Sequence, residues 1–201
     1  MTVDAQRGYA KGRAKRRQII EQATAMFGEA GYRGATLREI AARCGLSHPG
    51  LLHHFPTKES LLLAVLAHRD EVDAEQLGLG QTHGLLGLQR LVDLGLLNAS
   101  RRGIVELYVV LSAEATAADH PAHDYFVARY ADSIAMMARV YREAAQDGAL
   151  RAGIEPGAAA RQLVALMDGL QVQWLLDGST DMGAALREHV QAQLTVPLPA
   201  G

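Results

Sequence analysis

The sequence predicts an all-α protein of two domains, with the boundary after residue 60. Apolar residues recur at helical spacings of three, four and seven, and glycine or proline stands at the ends of these periodic segments. Residues 1–60 contain ten Lys/Arg against five Asp/Glu, whereas residues 61–201 contain ten against seventeen. Such charge asymmetry favours a nucleic-acid-binding end attached to a domain of a different kind.

The composition excludes several classes of protein. Apolar residues make up 49% of the 201 residues, and no run of eighteen apolar residues appears, so no membrane span is expected. The N-terminus is polar and basic without the apolar core of a signal peptide, which predicts a cytoplasmic protein. The single cysteine, Cys44, has no partner for an internal disulfide and is interpreted as a small core residue.

Residues 1–16 are predicted to be a basic arm. Its cations, followed directly by Arg17, are Arg7, Lys11, Arg13, Lys15 and Arg16, with no acid between them. Gly8 and Gly12 argue against a stable helix, so the arm is expected to be disordered in solution. It is either a solvated tail or a contact to phosphates beside a DNA site, and we favour the phosphate contact.

A first helix is predicted over residues 17–30, with Gly31 at its end, and residues 36–58 predict two short helices joined by a tight turn. Gly45 suits the left-handed position that follows a helix. Ser47 is the expected N-cap of the second short helix. The spacing between the glycine of the turn, the serine cap and a small residue where the two helices cross is typical of a helix-turn-helix. The second helix carries no carboxylate, which suits a surface pressed against phosphates and base edges.

A fourth, longer helix follows, with Thr57 as its expected cap, and it is predicted to run to about Leu77 before Gly78 and Gly80. Further helices are predicted at residues 84–98, 101–118, 122–147, 157–178 and 181–194. Residues 195–201 contain two prolines and are expected to be frayed.

Residues 17–66 resemble the DNA-binding domain of the TetR family of bacterial transcriptional regulators. The resemblance is carried by Ala23, Phe27, Gly31, Tyr32, Thr36, Ile40, Ala41, Gly45, Leu46, Ser47, Leu51 and the closing segment HHFPTKESLL. It covers about the first third of the chain. It implies a three-helix helix-turn-helix DNA-binding domain, joined by the fourth helix to a larger helical ligand-binding and dimerisation domain over residues 61–201.

The resemblance also implies a set of DNA contacts. They are Thr36, Arg38, Ser47, His48, Pro49, Gly50, Leu52, His53, His54 and Lys58. By this analogy Thr36 caps its helix and touches a phosphate, His48 reads a base, and His54 and Lys58 contact phosphates. The family often has tyrosine where this chain has Leu52, so one polar contact is replaced by an apolar one to a thymine methyl.

Several soft or polar residues fall among the apolar helices of the second domain. The candidates for a ligand pocket are Tyr108, Met136, Met137, Met167, Gln171 and Trp174. Flexible methionines and a few polar groups are typical of sites for apolar ligands, and none of the candidates is cationic, so a hydrophobic effector that is neutral or weakly cationic is expected. Ordinary core packing is the alternative for each residue, and Trp174 would also suit a dimer seam.

The last predicted helix carries apolar residues around more than one face and needs a partner. The resemblance implies that the last two helices pair with their symmetry mates as a four-helix bundle. Met182, Leu186 and Val190 are the predicted interface residues of an isologous homodimer.

No Gly-x-Ser-x-Gly, P-loop or Gly-x-Gly-x-x-Gly motif is present, so neither an enzyme nor a cofactor is expected. His120 and His123, with Asp119 and Asp124, could suggest a metal site. Acids at a helix start are ordinary partners of the helix dipole, however, and no metal is expected.

The sequence therefore favours a ligand-responsive transcriptional regulator. It would be a repressor that binds a (pseudo)palindromic DNA operator as a homodimer and is released by a small molecule. One alternative is a ligand-independent DNA-binding or architectural protein. Another is a helical interaction module or enzyme that keeps a vestigial helix-turn-helix.

Overall fold

The computed structural model describes residues 3–79 and 81–200, with side chains described from residue 11. These ranges contain nine helices: α1 (Val3–Gly34), α2 (Leu37–Arg43), α3 (His48–His54), α4 (Lys58–Leu77), α5 (Gly84–Ala99), α6 (Arg102–Glu114), α7 (His123–Gln146), α8 (Pro156–Leu176) and α9 (Met182–Ala192). The predicted all-α class is confirmed. None of the helices described is long and apolar enough to cross a membrane.

The chain divides into two compact units, Met1–Asp70 and Glu71–Gly201. The division lies inside α4 after Asp70, whereas the predicted boundary after residue 60 falls in the first turn of the same helix. The first half of α4, which carries the fully buried Leu61 and Leu66, belongs to the first unit. The same continuous helix supplies the first residues of the second unit, so a change in composition could not mark the boundary.

Helix α1 begins at Val3, so the prediction of a disordered arm is wrong for the described part of residues 1–16. Arginine, lysine and alanine dominate this segment and are strong helix formers. Extending a helix that already exists requires no new nucleus, and a glycine such as Gly12 costs only about 1 kcal/mol in it. Gly31, the predicted end, interrupts the helical backbone with φ 71° and ψ 167°, and α1 continues past this kink to Gly34.

The second unit is built around one apolar core to which α5, α6, α7, α8 and α9 contribute. Its largest fully buried side chain is that of Tyr141, whose hydroxyl donates to the Gln193 side chain at 2.6 Å. Helix α9 approaches α5 closely at Gly95, where an added Cβ would overlap the Leu186 side chain. This close approach determines which face of α9 is covered.

Helix α6 ends at Glu114, earlier than the predicted residue 118. The Thr116 hydroxyl donates to the Ala113 carbonyl at 2.8 Å, and the His123 ring lies at hydrogen-bonding distance, 2.8 Å, from the Ala115 carbonyl. These side chains satisfy carbonyls that a further helical turn would have used.

The end of the chain is packed rather than frayed over residues 195–200, so that prediction is wrong as well. The Thr195 N–H donates to the Ala149 carbonyl at 2.9 Å. The Leu198 N–H donates to the Gln191 side chain at 2.7 Å, and the Leu198 side chain is buried in the core. These two bonds compensate for the lack of regular structure around the two prolines.

Candidate DNA-binding surface and effector domain

The turn between α2 and α3 has the geometry of a helix-turn-helix. Gly45 has φ 64°, a left-handed conformation that favours glycine. The Gly45 N–H donates to the Ala42 carbonyl at 3.0 Å, and the Leu46 N–H donates to the Ala41 carbonyl at 2.9 Å. This is the Schellman arrangement, which satisfies carbonyls at the end of α2 and reverses the chain into α3.

Helix α3 begins at a serine cap, as predicted. The Ser47 hydroxyl accepts from the Gly50 N–H at 3.2 Å. Leu51 and Phe55 are buried in the first unit and fix the inner face of the helix. The outer face carries the predicted contact positions: Pro49 and His53 are exposed, and His48, Gly50, Leu52 and His54 are half-buried. The helix therefore presents histidine, proline, glycine and leucine outward, with no carboxylate.

Two cations of α1 lie beside the helix-turn-helix. Lys15 Nζ donates to the Cys44 carbonyl at 3.0 Å. This carbonyl lies at the C-terminal end of α2, where a positive charge interacts favourably with the helix dipole. The Arg16 guanidinium lies 4.7 Å from the centre of the Phe55 ring. Burial and the neighbouring positive charges, including those of Lys15 and Arg16, hold the pKa of His54 below its usual value. The sequence did not predict this placement, because it treated these cations as part of a free arm.

Thr36 caps α2, as predicted, but it shares its polar groups with Glu39. The Glu39 N–H donates to the Thr36 hydroxyl oxygen at 3.3 Å. In return the Thr36 N–H and hydroxyl donate to the Glu39 carboxylate at 3.1 and 2.6 Å. This capping box stabilises the start of the helix. A phosphate that bound Thr36 would have to compete with the Glu39 carboxylate. Arg38 in the same turn is exposed.

Lys58 is the first residue of α4 and is held by groups at the end of α1. Its Nζ donates to the Arg33 carbonyl at 3.4 Å and lies 4.5 Å from the centre of the Tyr32 ring. Tyr32 in turn donates to the Glu59 carboxylate at 3.4 Å, and burial followed by this carboxylate raises the pKa of Tyr32 to about 12. The Lys58 charge is thus positioned on the first unit before any ligand arrives.

The predicted ligand-pocket residues are dispersed among several environments in the second unit. Met137, Met167 and Trp174 are buried in its apolar core, and Met136 packs against that core. Gln171 is half-buried. None of these candidates is itself cationic, but the Arg102 guanidinium lies 5.4 Å from the centre of the Trp174 ring, so one of them has a positive charge beside it.

The remaining predicted pocket residue, Tyr108, belongs to an aromatic group that the sequence did not single out. Its hydroxyl lies 3.1 Å from the Tyr125 hydroxyl, and its ring packs edge-on against Phe126. The Tyr130 hydroxyl donates to the Asp168 carboxylate at 2.8 Å. The spacing of the three aromatic residues on α7, at positions 125, 126 and 130, was the available signal. Only the fold brings them to Tyr108 and Asp168.

The two histidines considered for a metal have local structural contacts. His120 accepts from the Ala122 N–H at 3.2 Å, and His123 lies against the Ala115 carbonyl. In the described residues no group of three or more His, Cys, Asp or Glu side chains is arranged to hold a metal ion.

Two family models match the chain. A model of bacterial regulatory proteins of the tetR family matches residues 19–65, which contain the capped helices and the turn described above. A model of the BetI-type transcriptional repressor C-terminal domain matches residues 88–195, more than half of the chain. The chain belongs to the TetR family of bacterial regulatory proteins. The recognition made from residues 17–66 is therefore confirmed.

The relatives of this TetR-family chain are similar over limited lengths. The HTH-type transcriptional repressor Rv1474c of Mycobacterium tuberculosis is 35% identical over 78 residues, which are 38% of this chain and 40% of the relative. The chain thus matches only about two fifths of the length of that curated relative.

Solved structures of similar fold cover most of the TetR-family chain. A putative transcriptional regulator from Saccharomonospora viridis in complex with choline has a TM-score of 0.74 and 24% identity, covering 88% of this chain and 93% of its own. SmeT, of Stenotrophomonas maltophilia, in complex with triclosan has a TM-score of 0.76 and 24% identity, covering 94% of this chain and 98% of its own. At this identity the likeness establishes the shared fold.

The predicted dimer residues of this TetR-family chain lie inside the protomer. Met182, Leu186 and Val190 are at most 2% exposed and belong to the core of the second unit. They are therefore not available to a partner, and the prediction that they form the interface is wrong. Helix α8 does carry exposed apolar side chains, since Val172 is 43% and Leu176 84% exposed.

Proposed function

We propose that the chain is a transcriptional repressor that binds a pseudopalindromic DNA operator as a homodimer and releases it when a small molecule binds the second unit. The outward face of α3 carries this proposal. That face has hydrogen-bonding and apolar groups without a carboxylate, and it is flanked by cations at Lys15, Arg16 and Lys58. The naming of a relative as a repressor supports the same function.

The proposed DNA contacts follow from this surface. Helix α3 would enter the major groove, where His48 would read a base edge and Leu52 would contact a thymine methyl. Arg38 and Lys58 would contact phosphates, as would the basic residues of α1. Because α1 is helical here, its cations would approach DNA from a rigid element rather than a free arm.

The homodimer is proposed to form through the outer side of α8. Val172 and Leu176 are large apolar side chains exposed to solvent on this helix. A Cβ added to Gly169 would meet no atom within 4 Å, so a second helix has room to approach there. Two copies of one patch would form an isologous contact, which matches the two-fold symmetry of a pseudopalindromic operator.

The proposed effector binds the second unit and shifts the populations of two conformers. The conformer that it favours would hold the two α3 helices at a spacing unsuited to adjacent major grooves. Two neighbours of similar fold were solved with small molecules, choline and triclosan, which supports a small-molecule effector. No catalytic step and no cofactor are proposed.

Selection of binding sites from a random pool of duplex DNA tests the DNA-binding part of the proposal. We expect enrichment of an inverted repeat whose half-site centres lie about 34–36 Å apart, or slightly more. The variant His48→Ala should change the preferred base at one position of each half-site. A uniform loss of affinity without a change of preference would show that His48 is not a base reader. No enrichment by the wild-type chain would contradict the proposed function.

Tryptophan fluorescence tests the effector part, since Trp174 is the chain's single tryptophan. A small molecule that releases operator DNA should also change Trp174 emission, and Gln171→Leu should weaken that molecule without changing DNA affinity. If the small molecule releases operator DNA without changing Trp174 emission, and if Gln171→Leu binds that molecule as tightly as the wild type does, the pocket lies elsewhere. A chain that keeps its operator in the presence of every small molecule tested would instead be a ligand-independent DNA-binding protein.

A further inference from the structure

We propose that DNA binding is coupled to proton uptake by His53 and His54, so that the affinity of the chain for its operator rises as the pH falls from about 8 to about 6. This inference rests on the proposed function only in naming the DNA an operator, because a phosphate contact carries no base sequence. The two histidines are the last two residues of α3 and belong to the first unit.

The two imidazole rings lie side by side on α3. Their centres are 5.7 Å apart, and the ring planes meet at 74°. His53 is exposed and His54 is half-buried, whereas the neighbouring Leu51 and Phe55 are buried and anchor the helix. A phosphate that approaches α3 can therefore reach this histidine pair without a rearrangement of the helix.

Positive charge surrounds the histidine pair in the free chain. The charges that act on His54 are those of His53, Lys15 and Arg16, and within the described part of the chain no carboxylate joins them. Lys15 and Arg16 are held in place by their contacts with the end of α2 and with the Phe55 ring. The two cations therefore stay close to the pair before DNA arrives.

The carboxylates that flank the helix-turn-helix are engaged with other side chains. The pairs are Glu29 with Arg43, Glu39 with Thr36, and Glu59 with Tyr32. Arg38 of α2 and Lys58 of α4 add further positive charge on the helices before and after α3. The histidine pair thus lies in a part of the first unit where cations outnumber the carboxylates that could stabilise a charged imidazole.

This arrangement disfavours the protonated imidazole while no anion is bound. Burial, followed by the positive charges of His53, Lys15 and Arg16, lowers the pKa of His54. Phosphates reverse the sign of the surroundings, since they neutralise the cations and bring negative charge to the rings. A group that is neutral in the free chain and charged in the complex takes up a proton on binding. By linkage, the affinity for DNA then rises as the pH falls.

Titration calorimetry in two buffers counts these protons directly. The full-length chain is titrated with the selected inverted repeat at neutral pH and constant salt, in HEPES and in Tris, whose enthalpies of ionisation differ. The difference between the two heats gives the number of protons taken up. We expect at least about half a proton per protomer, and an affinity at least about tenfold higher at pH 6 than at pH 8. Equal heats in the two buffers, with equal affinities at the two pH values, would overturn the proposal.

Substitutions assign the protons to the histidine pair. His53→Gln and His54→Gln each keep a hydrogen-bonding side chain that gains no charge, so each should reduce proton uptake and the double variant should abolish it. Lys58→Ala is the matched control, because it removes a phosphate-binding cation and no imidazole. It should weaken DNA binding at every pH and leave proton uptake unchanged. Uptake that survives in the double variant would place the protons on other groups and overturn the assignment.

A permanent charge at position 53 tests the same idea without removing a contact. His53 is exposed, so an arginine is accommodated there, and its guanidinium stays charged. His53→Arg should bind DNA more tightly than the wild type at about pH 8, and the difference should shrink toward about pH 6. Circular dichroism at each pH checks that the variant is folded. Folded His53→Arg with no gain in affinity at the higher pH would contradict a role for the charge at this position.

A shuffled duplex of the same composition separates this inference from the proposed function. A chain that takes up protons but binds the inverted repeat and the shuffled duplex equally would refute operator recognition and leave the proton linkage standing. A chain that prefers the inverted repeat without taking up protons would do the reverse. Binding of neither duplex at any pH would contradict both.

Discussion

Arg101 and Asp73 form a two-pronged ion pair that joins the start of α6 to the second half of α4. The guanidinium nitrogens lie 2.5 and 3.1 Å from the two carboxylate oxygens, and one nitrogen also donates to Asn98 at 2.8 Å. The next residue, Arg102, donates to the Leu175 carbonyl of α8 at 2.7 Å. Two consecutive arginines thus connect α6 with both α4 and α8. A movement of α8 would therefore be transmitted to α4 through these contacts.

Asp73→Ala should destabilise the chain by about 3–5 kcal/mol, since it leaves the guanidinium of Arg101 without its main counter-charge. The Asp73 side chain is only 5% exposed, so water replaces the lost partner poorly. The midpoint of urea unfolding measures the change. Arg17→Ala removes an exposed ion pair with Glu21 and is the matched control, expected to cost less than about 1 kcal/mol. Equal effects of the two substitutions would contradict this account of the buried pair.

The Glu143 carboxylate should contribute to acid lability. It accepts the Gly84 N–H at 3.0 Å, and this bond, followed by contacts with His83 and Arg139, lowers the pKa of Glu143 to about 2. Because the folded pKa lies below the unfolded value, the stabilisation is complete above about pH 5 and is lost as the pH falls from about 4.5 to about 2. The stability difference between wild type and Glu143→Gln should therefore shrink over that range. A difference that is independent of pH would show that the charge of Glu143 contributes nothing.

Val172→Glu should yield monomers that keep their helical content, because the side chain is on the exposed side of α8. Leu186→Glu should instead prevent folding, since that side chain is 1% exposed and packs against Gly95. Analytical ultracentrifugation with circular dichroism distinguishes these outcomes. A dimer that survives both Val172→Glu and Leu176→Glu would locate the interface elsewhere.

Lys58→Ala should weaken DNA binding about equally for all sequences. It should also lower the slope of log affinity against log salt by about one unit for each half-site. Arg161→Ala, which removes an exposed cation from α8, is the control and should leave both quantities unchanged. Binding titrations by fluorescence anisotropy at several salt concentrations supply the measurement. An unchanged slope in Lys58→Ala would exclude a phosphate contact by Lys58.

The helix-turn-helix could be predicted because its signals are local. Thr36, Gly45 and Ser47 act on backbone groups within a few residues, so their chemistry can be read from neighbouring positions in the chain. The start of α1 was not predicted, because the glycines of the arm were expected to prevent helix formation. That expectation holds for a segment that must nucleate a helix on its own. The arm instead extends a helix that residues 17–30 already form.

The second unit could be predicted less completely because its decisive contacts are long-range. A periodic pattern shows that Leu186 and Val190 share a face of α9, but it does not show whether a neighbouring helix or a second copy covers that face. The answer lies in Gly95, far away in the chain, which lets α5 approach α9. In the same way Tyr130 and Asp168 are separated by 38 positions, and only the packing of α7 on α8 joins them.

The ratio of two DNA affinities tests the central claim most directly. The Kd of the wild-type chain is measured by fluorescence anisotropy, at one physiological salt concentration, for the selected inverted repeat and for a shuffled duplex of the same composition. An operator-binding regulator should prefer its site by about 10³-fold or more, and His48→Ala should reduce that ratio. Equal affinity of the wild-type chain for the two duplexes would contradict sequence-specific regulation and would instead indicate non-specific DNA binding.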